Sequence, residues 1–341
     1  MRTFQTILSI DGGGIRGIIP ATTLAYIEKQ TGKRISELFD LIAGTSTGGI
    51  LALGLTMPRQ GGPYRAEELI SFYQEEGPKI FPPRGWLDRR RIAAKWCDLL
   101  CGPKYDHRNV ECILKKMFRD ATLGDALVDV AITAYDVTKR TTKILTSWVA
   151  PSCTYRMWEV ARATCAAPTY FAPFRPSWAV AGGDTLIDGG VFANNPGLYA
   201  FLEAKERYKV PNDQILLVSL GTGVLCKEYH YDIVKGWGEA GWAKPIIDIT
   251  FFSICETVDY ALAQLLGGAG QPQQFYRYQV KLAPASEDLD NASQLNFGRL
   301  KQAVSSLIIQ SGTASAEKWL NPDLNTLCLL LQDNRARKGA M

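Results

Sequence analysis

Two short apolar runs near the start of the chain are each cut by glycines and followed by a helical pattern. Thr6–Ile10 (TILSI) is rich in β-formers and is broken by Asp11-Gly-Gly-Gly14; Pro20 then suits the first turn of a helix reaching about Gln30. Leu38–Ala43 (LFDLIA) reads as a second buried strand ending at Gly44. The small and apolar residues from Thr47 to Leu55 fit a helix packed tightly on a sheet. This βαβα order predicts an α/β fold, a three-layer α/β/α sandwich with a mostly parallel central sheet.

Further along, residues 57–125 are rich in Pro, Gly, Arg and aromatics and read as a mainly helical insertion. The sheet is expected to resume at Val128–Asp136 and Lys143–Ser147, with a helix around Tyr155–Cys165 that stops near Pro168. Leu186–Asp188 reads as a short strand end, Pro196–Tyr208 as a helix and Ile215–Leu220 (ILLVSL) as a buried strand closed by Gly221. Residues 236–341 read as a mainly helical C-terminal extension with one strand at Tyr276–Leu282. Without repeats or a long linker, 1–341 is expected to be one domain.

Composition narrows the class. Of 341 residues, 46% are hydrophobic and 21% charged, which excludes disorder, collagen and coiled coil. A chain this long buries roughly three quarters of its unfolded surface and needs no metal to hold a core. The net charge of +4 does not point to a nucleic-acid polymer. The most apolar stretch, Pro245–Cys255, is interrupted by Asp248 and falls short of the roughly 20 residues a membrane span needs. The N-terminus lacks a signal-peptide core with a cleavage site, so a soluble, cytoplasmic chain is expected. Eight scattered cysteines form no C-x-x-C pair and the histidines are His107 and His230 alone. Free thiols and no metal site are therefore expected.

Gly12, Gly14 and Gly17 satisfy G-x-G-x-x-G between a strand and a helix, and Glu37 stands 20 residues past Gly17, as in a dinucleotide-binding oxidoreductase. Glu37, however, precedes the second strand instead of following it. The same glycines at a helix start also leave backbone N–H groups bare, a nest for a phosphate or an oxyanion, with Arg16 adding positive charge. Gly44-Thr45-Ser46-Thr47-Gly48 is G-x-S-x-G between a buried strand and a helix, the setting of a nucleophile elbow. Its bland alternative is a serine N-cap. His107, His230 and Asp188, the last in LIDGGVFANNP, are the candidates to activate Ser46.

Taken in order, Asp11-Gly-Gly-Gly-Ile-Arg-Gly17, Gly44–Gly48 and Asp188-Gly-Gly190 resemble the patatin-like phospholipase family. Ala161–Phe171 and Ser219–Gly223 add to the likeness, which runs from about Thr6 to Gly223. The resemblance implies a Ser–Asp dyad without histidine, with Ser46 as nucleophile and Asp188 as general base. It implies an oxyanion hole from the Gly12, Gly13 and Gly14 amides, supported by Arg16. The implied reaction is hydrolysis of membrane phospholipid esters through an acyl-enzyme, releasing free fatty acid with no metal or cofactor.

Reaching a bilayer calls for surface contact. The segment 82–96 carries arginines and tryptophans, and 236–242 carries Trp237 and Trp242 among glycines. For 82–96 a solvated basic helix with its tryptophans in the core is the favoured reading; 236–242 reads equally as a surface loop folded over the core, and the helix over 245–266 as an acyl-channel wall or as core. The tail 335–341 is expected to fray. Some bacterial members of the family are antiphage phospholipases switched on by cyclic oligonucleotides. That likeness implies a cyclic nucleotide activator; action at the inner membrane face and a homo-oligomer are separate expectations. A nucleotide-binding oxidoreductase and a non-catalytic storage protein stand as alternatives.

Overall fold

The computed structural model describes residues 3–82, 102–180, 183–267, 273–310 and 323–340; beyond Pro82, the basic segment 82–96 lies outside them. The strands are β1 (Gln5–Ile10), β2 (Leu41–Gly44), β3 (Asp129–Asp136), β4 (Thr141–Thr146), β5 (Leu186–Asp188), β6 (Ile215–Leu220) and β7 (Phe275–Tyr278). The helices, in chain order, are α1 (Ile18–Thr31), α2 (Ile35–Leu38), α3 (Thr47–Thr56), α4 (Ala66–Ile80), α5 (His107–Phe118) and α6 (Met157–Thr164). They continue as α7 (Gly190–Ala193), α8 (Gly197–Tyr208), α9 (Tyr231–Val234), α10 (Glu239–Leu266), α11 (Gln294–Gln310) and α12 (Leu324–Gly339).

One sheet runs β4-β3-β2-β1-β6-β7, with β5 pairing to β3. The pairs β3–β2, β2–β1, β1–β6 and β6–β7 are parallel, whereas β4 and β5 run antiparallel to β3. Alternation within the strands splits the core in two. Leu8, Ile10, Ile42 and Val218 face one way, into a cluster with α1, α3, α11 and α12. Ile7, Leu41, Ala43 and Leu217 face the other way, onto Phe201 of α8 and Leu262 of α10. Strands buried on both faces carry apolar residues at nearly every position, which is why TILSI and ILLVSL look continuous instead of alternating.

The second strand begins later than the apolar run LFDLIA predicts. Leu38 closes α2, whose Glu37 carboxylate accepts from the Arg34 N–H at 2.7 Å. Asp40 then takes the Thr6 N–H at 2.7 Å and delays β2 to Leu41. The tail from Arg335 also departs from its expected fraying, because it forms the last turns of α12 and both Arg335 and Lys338 pair with Asp40. Strand β7, from the C-terminal part, extends the central sheet beside β6.

Strand β3 brings two chain segments to one spot. β4 occupies one edge of β3 along Ala131–Asp136. On the other edge β2 stops with Gly44 opposite Ile132, and β5 arrives from the opposite direction with Asp188 opposite Ala134. The two strands thus share a lane and meet end to end, at the carboxyl side of β1 and β2 where ligands of open α/β sheets bind.

Candidate active site

Ser46 leaves that lane on a strained turn. Its backbone has φ 55 and ψ −123, a region that non-glycine residues rarely occupy. Glycines on either side make the turn possible: a Cβ on Gly44 would lie 2.2 Å from the Gly48 carbonyl oxygen, and one on Gly48 would lie 2.2 Å from that of Ile10. Ser46 makes no side-chain cap to α3. The N-cap alternative therefore does not account for it. Its N–H instead donates to Thr164 Oγ1 at 2.8 Å, and Thr45 Oγ1 donates to the Ala193 carbonyl at 2.6 Å.

Asp188 is held just as firmly. Its N–H bonds the Ala166 carbonyl at 3.1 Å, and Oδ1 accepts from the Gly190 N–H at 2.8 Å. Residues 164–166 thereby brace nucleophile and carboxylate together. Burial pushes the Asp188 pKa up to about 7, against the opposing pull of the Ser46 hydroxyl and the Gly190 amide. The hydroxyl is near enough to favour the carboxylate, yet Oδ2 completes no hydrogen bond of regular geometry and is fully buried. A carboxylate so placed is poised to take a proton from the serine.

The glycine loop follows β1. The Gly12 N–H is already committed to the Asn194 carbonyl at 2.9 Å, so Gly12 supplies closeness and not a donor. A side chain there would meet Asn194 Oδ1 at 2.3 Å. Gly13 and Gly14 line the same cavity as Ser46, and Gly14 adopts φ +57. Arg16, buried beside them, directs Nε to the Gly13 carbonyl at 3.4 Å and Nη1 to the Glu287 carbonyl at 3.3 Å. Burial lowers its pKa, with Asp248 the first of the charges that offset this.

The cavity encloses roughly 720 Å³ of empty space, part of it open to solvent. Ser46 and Asp188 stand with the loop at one side; the walls are otherwise largely apolar, including Ile50, Phe72, Ile80, Val110, Tyr170 and Phe171. Phe251 is the α10 residue in the lining, while Cys255, Val258, Leu262 and Leu266 of that helix are buried in the core. Cys165 also lines it, its thiol pushed by burial up to about 12 and so un-ionised. Neither histidine lines it: His107 opens α5, and His230 pairs with Glu228 on the surface. Glu37, the dinucleotide candidate, is spent on Arg34. Among the described residues no cluster of His, Cys, Asp or Glu could hold a metal ion. No described helix is long and apolar enough to cross a membrane.

A family profile described as patatin-like phospholipase matches residues 8–201. The chain belongs to the patatin-like phospholipase family. Patatin-like protein 1 of Arabidopsis thaliana is 35% identical over 289 residues, covering 75% of this chain and 69% of its own. Patatin-T5 of Solanum tuberosum is 31% identical over 97% of this chain and 90% of its own. A second potato relative, described as probable inactive patatin-3-Kuras 1, is also 31% identical and covers 97% and 93%. Within this patatin-like chain, no sequence motif singled out Thr164, which accepts from the Ser46 N–H, Thr222, which donates to the Gly12 carbonyl at 2.7 Å, or Arg277, which pairs with the Asp11 carboxylate at 2.7 Å. Thr164 and Thr222 lie inside the blocks 161–171 and 219–223, whose likeness to the family was the signal available. Arg277 lies outside the matched residues, and nothing local marked it.

Proposed function

We propose that this chain is a lipid acyl hydrolase working through Ser46 and Asp188. Ser46 Oγ attacks the ester carbonyl as Asp188 takes its proton, and the carbonyl oxygen becomes an oxyanion facing the Gly13 and Gly14 amides. Collapse of this intermediate breaks the ester bond and Asp188 returns the proton to the departing alcohol. An acyl group is then left on Ser46. Water, deprotonated by Asp188, attacks that acyl-enzyme and releases a free fatty acid. Arg16 supports the loop from behind, and the apolar cavity takes the acyl chain.

One observation carries the reading: a serine on a strained elbow and a fully buried carboxylate stand together on the wall of a largely apolar cavity. Family membership alone would not suffice, since one potato relative is described as probably inactive. The proposed substrates are membrane phospholipids, met at the inner face of the membrane. Exposed Trp242, Ile246 and Ile249 lie on the helix that sends Phe251 to the cavity, which supports lipid contact there. Activation by a cyclic oligonucleotide in antiviral defence belongs to the proposal through the resemblance alone, and a homo-oligomer as a separate expectation.

Mass spectrometry of products from mixed phospholipid vesicles tests the reading. Fatty acid and lysophospholipid should appear with the wild type and vanish with Ser46→Ala. Equal release by both proteins would refute it. Repeating the assay with a panel of cyclic di- and trinucleotides tests the activator, and an unchanged rate across the panel would remove it from the account.

A further inference from the structure

Asp11 is the residue on which the glycine loop leaves β1, yet it does not line the cavity that holds Ser46. Both of its carboxylate oxygens are taken by Arg277 of β7. Nη1 lies 3.1 Å from Oδ1 and Nη2 lies 2.7 Å from Oδ2, a two-pronged grip that fixes direction as well as distance. The same guanidinium donates from Nε to Asp259 Oδ2 at 3.0 Å and from Nη1 to Ser219 Oγ at 2.8 Å. Asn195 Nδ2 meets the remaining Asp259 oxygen at 2.8 Å. Asp11, Ser219, Asp259 and Arg277 are all buried.

Two carboxylates around one arginine are an expensive way to hold a core together, because an apolar cluster of like volume stabilises as well or better. This cluster sits immediately before the loop that faces Ser46. Neighbouring contacts locate other points of the loop: Thr222 Oγ1 donates to the Gly12 carbonyl at 2.7 Å, and the Ile15 N–H donates to the Leu289 carbonyl at 2.8 Å. The Asp11 side chain is held by Arg277 through both oxygens, with the Cys255 thiol adding a longer contact of 3.6 Å to Oδ2.

We propose that Arg277 is a positioning residue for ester hydrolysis: by gripping Asp11 it sets the direction in which Gly13 and Gly14 present their N–H groups. Arg277 itself lines no part of the Ser46 cavity and acts through Asp11. The inference rests on the oxyanion role given to the loop under the proposed function.

The test uses the full chain and a short-chain p-nitrophenyl ester, with kcat and KM expressed per folded molecule. Arg277→Gln should lower kcat about 100-fold with KM nearly unchanged, the scale of losing an oxyanion donor. Arg277→Lys keeps the charge without the fork and should recover only part of the rate, leaving kcat about tenfold below wild type. Asn334→Ala is the control for a merely structural loss, since its side chain bonds the Phe4 N–H at 2.7 Å and the Phe4 carbonyl at 3.0 Å. It should lower the melting temperature and leave kcat unchanged. If Arg277→Gln fails to fold, Arg277→Lys decides. Wild-type kcat in the variants, with only stability reduced, would overturn the inference while leaving the hydrolase reading intact. Hydrolysis that survives Ser46→Ala would overturn that reading, and the inference with it.

Discussion

Gly44 and Asp188 lie on the same edge of β3, opposite Ile132 and Ala134. Strands entering from opposite directions therefore deliver a serine and a carboxylate to one point without a long, mobile side chain. Little conformational entropy is left to be lost when the two groups work together.

Asp188 should set the pH dependence in two opposite senses. As a base it works ionised, so kcat/KM should rise with pH and level off above about 7. For stability the sign reverses. The folded-state pKa lies above the ordinary 3.8, so the stabilising contribution of the protonated form is complete below that value and is lost as pH rises through about 7. Asp188→Asn should be inactive, yet should gain thermal stability relative to wild type between about pH 5 and about pH 8. Each pKa unit corresponds to about 1.4 kcal/mol, so melting curves at the two pH values should resolve the difference.

Gly14→Ala should damage catalysis far more than Gly32→Ala. Both glycines have left-handed backbones, at φ +57 and φ +67. A Cβ on Gly14 would lie 2.2 Å from the Leu289 carbonyl oxygen, whereas one on Gly32 would meet nothing within 4 Å. Expected results are a kcat loss of about 100-fold for Gly14→Ala, and a stability cost of about 1 kcal/mol with unchanged kcat for Gly32→Ala. Ester hydrolysis and thermal melts of both proteins check this.

Thr164→Val would leave the buried Ser46 N–H unpaired at a cost of about 1–3 kcal/mol. The elbow should loosen, with kcat falling about tenfold, while Thr164→Ser retains the acceptor and most of the rate. Comparing kcat for the pair separates loss of the hydrogen bond from loss of the methyl group.

The local chemistry of the site was legible because it is written in contiguous residues. Asp11–Gly17, Gly44–Gly48 and Asp188–Gly190 each pair a turn with a functional group, and a turn is a short-range event. The resemblance implies an oxyanion donor at Gly12, but its amide goes to Asn194, a partner that only the folded chain supplies. Arg277 was illegible for the same reason, its meaning lying in Asp11 at the other end of the chain. The apolar run LFDLIA concealed a boundary, since Leu38 and Phe39 are buried as deeply in α2 and its exit as Leu41 is in β2. Burial alone does not distinguish a strand from the turn that precedes it.

Val110→Phe should alter chain-length preference. Val110 of α5 is buried and lines the cavity, and a ring there would occupy space assigned to the acyl chain. Hydrolysis of long-chain esters should fall at least about tenfold relative to butyrate esters. A parallel loss on both would place the acyl chain elsewhere.

Intact-protein mass spectrometry after treatment with a fluorophosphonate tests the central claim most directly. One covalent adduct should form on the wild type, map to Ser46 and be absent from Ser46→Ala, and it should form far more slowly on Asp188→Asn. An adduct on another residue, or equal labelling rates for wild type and Asp188→Asn, would contradict the pairing of Ser46 with Asp188.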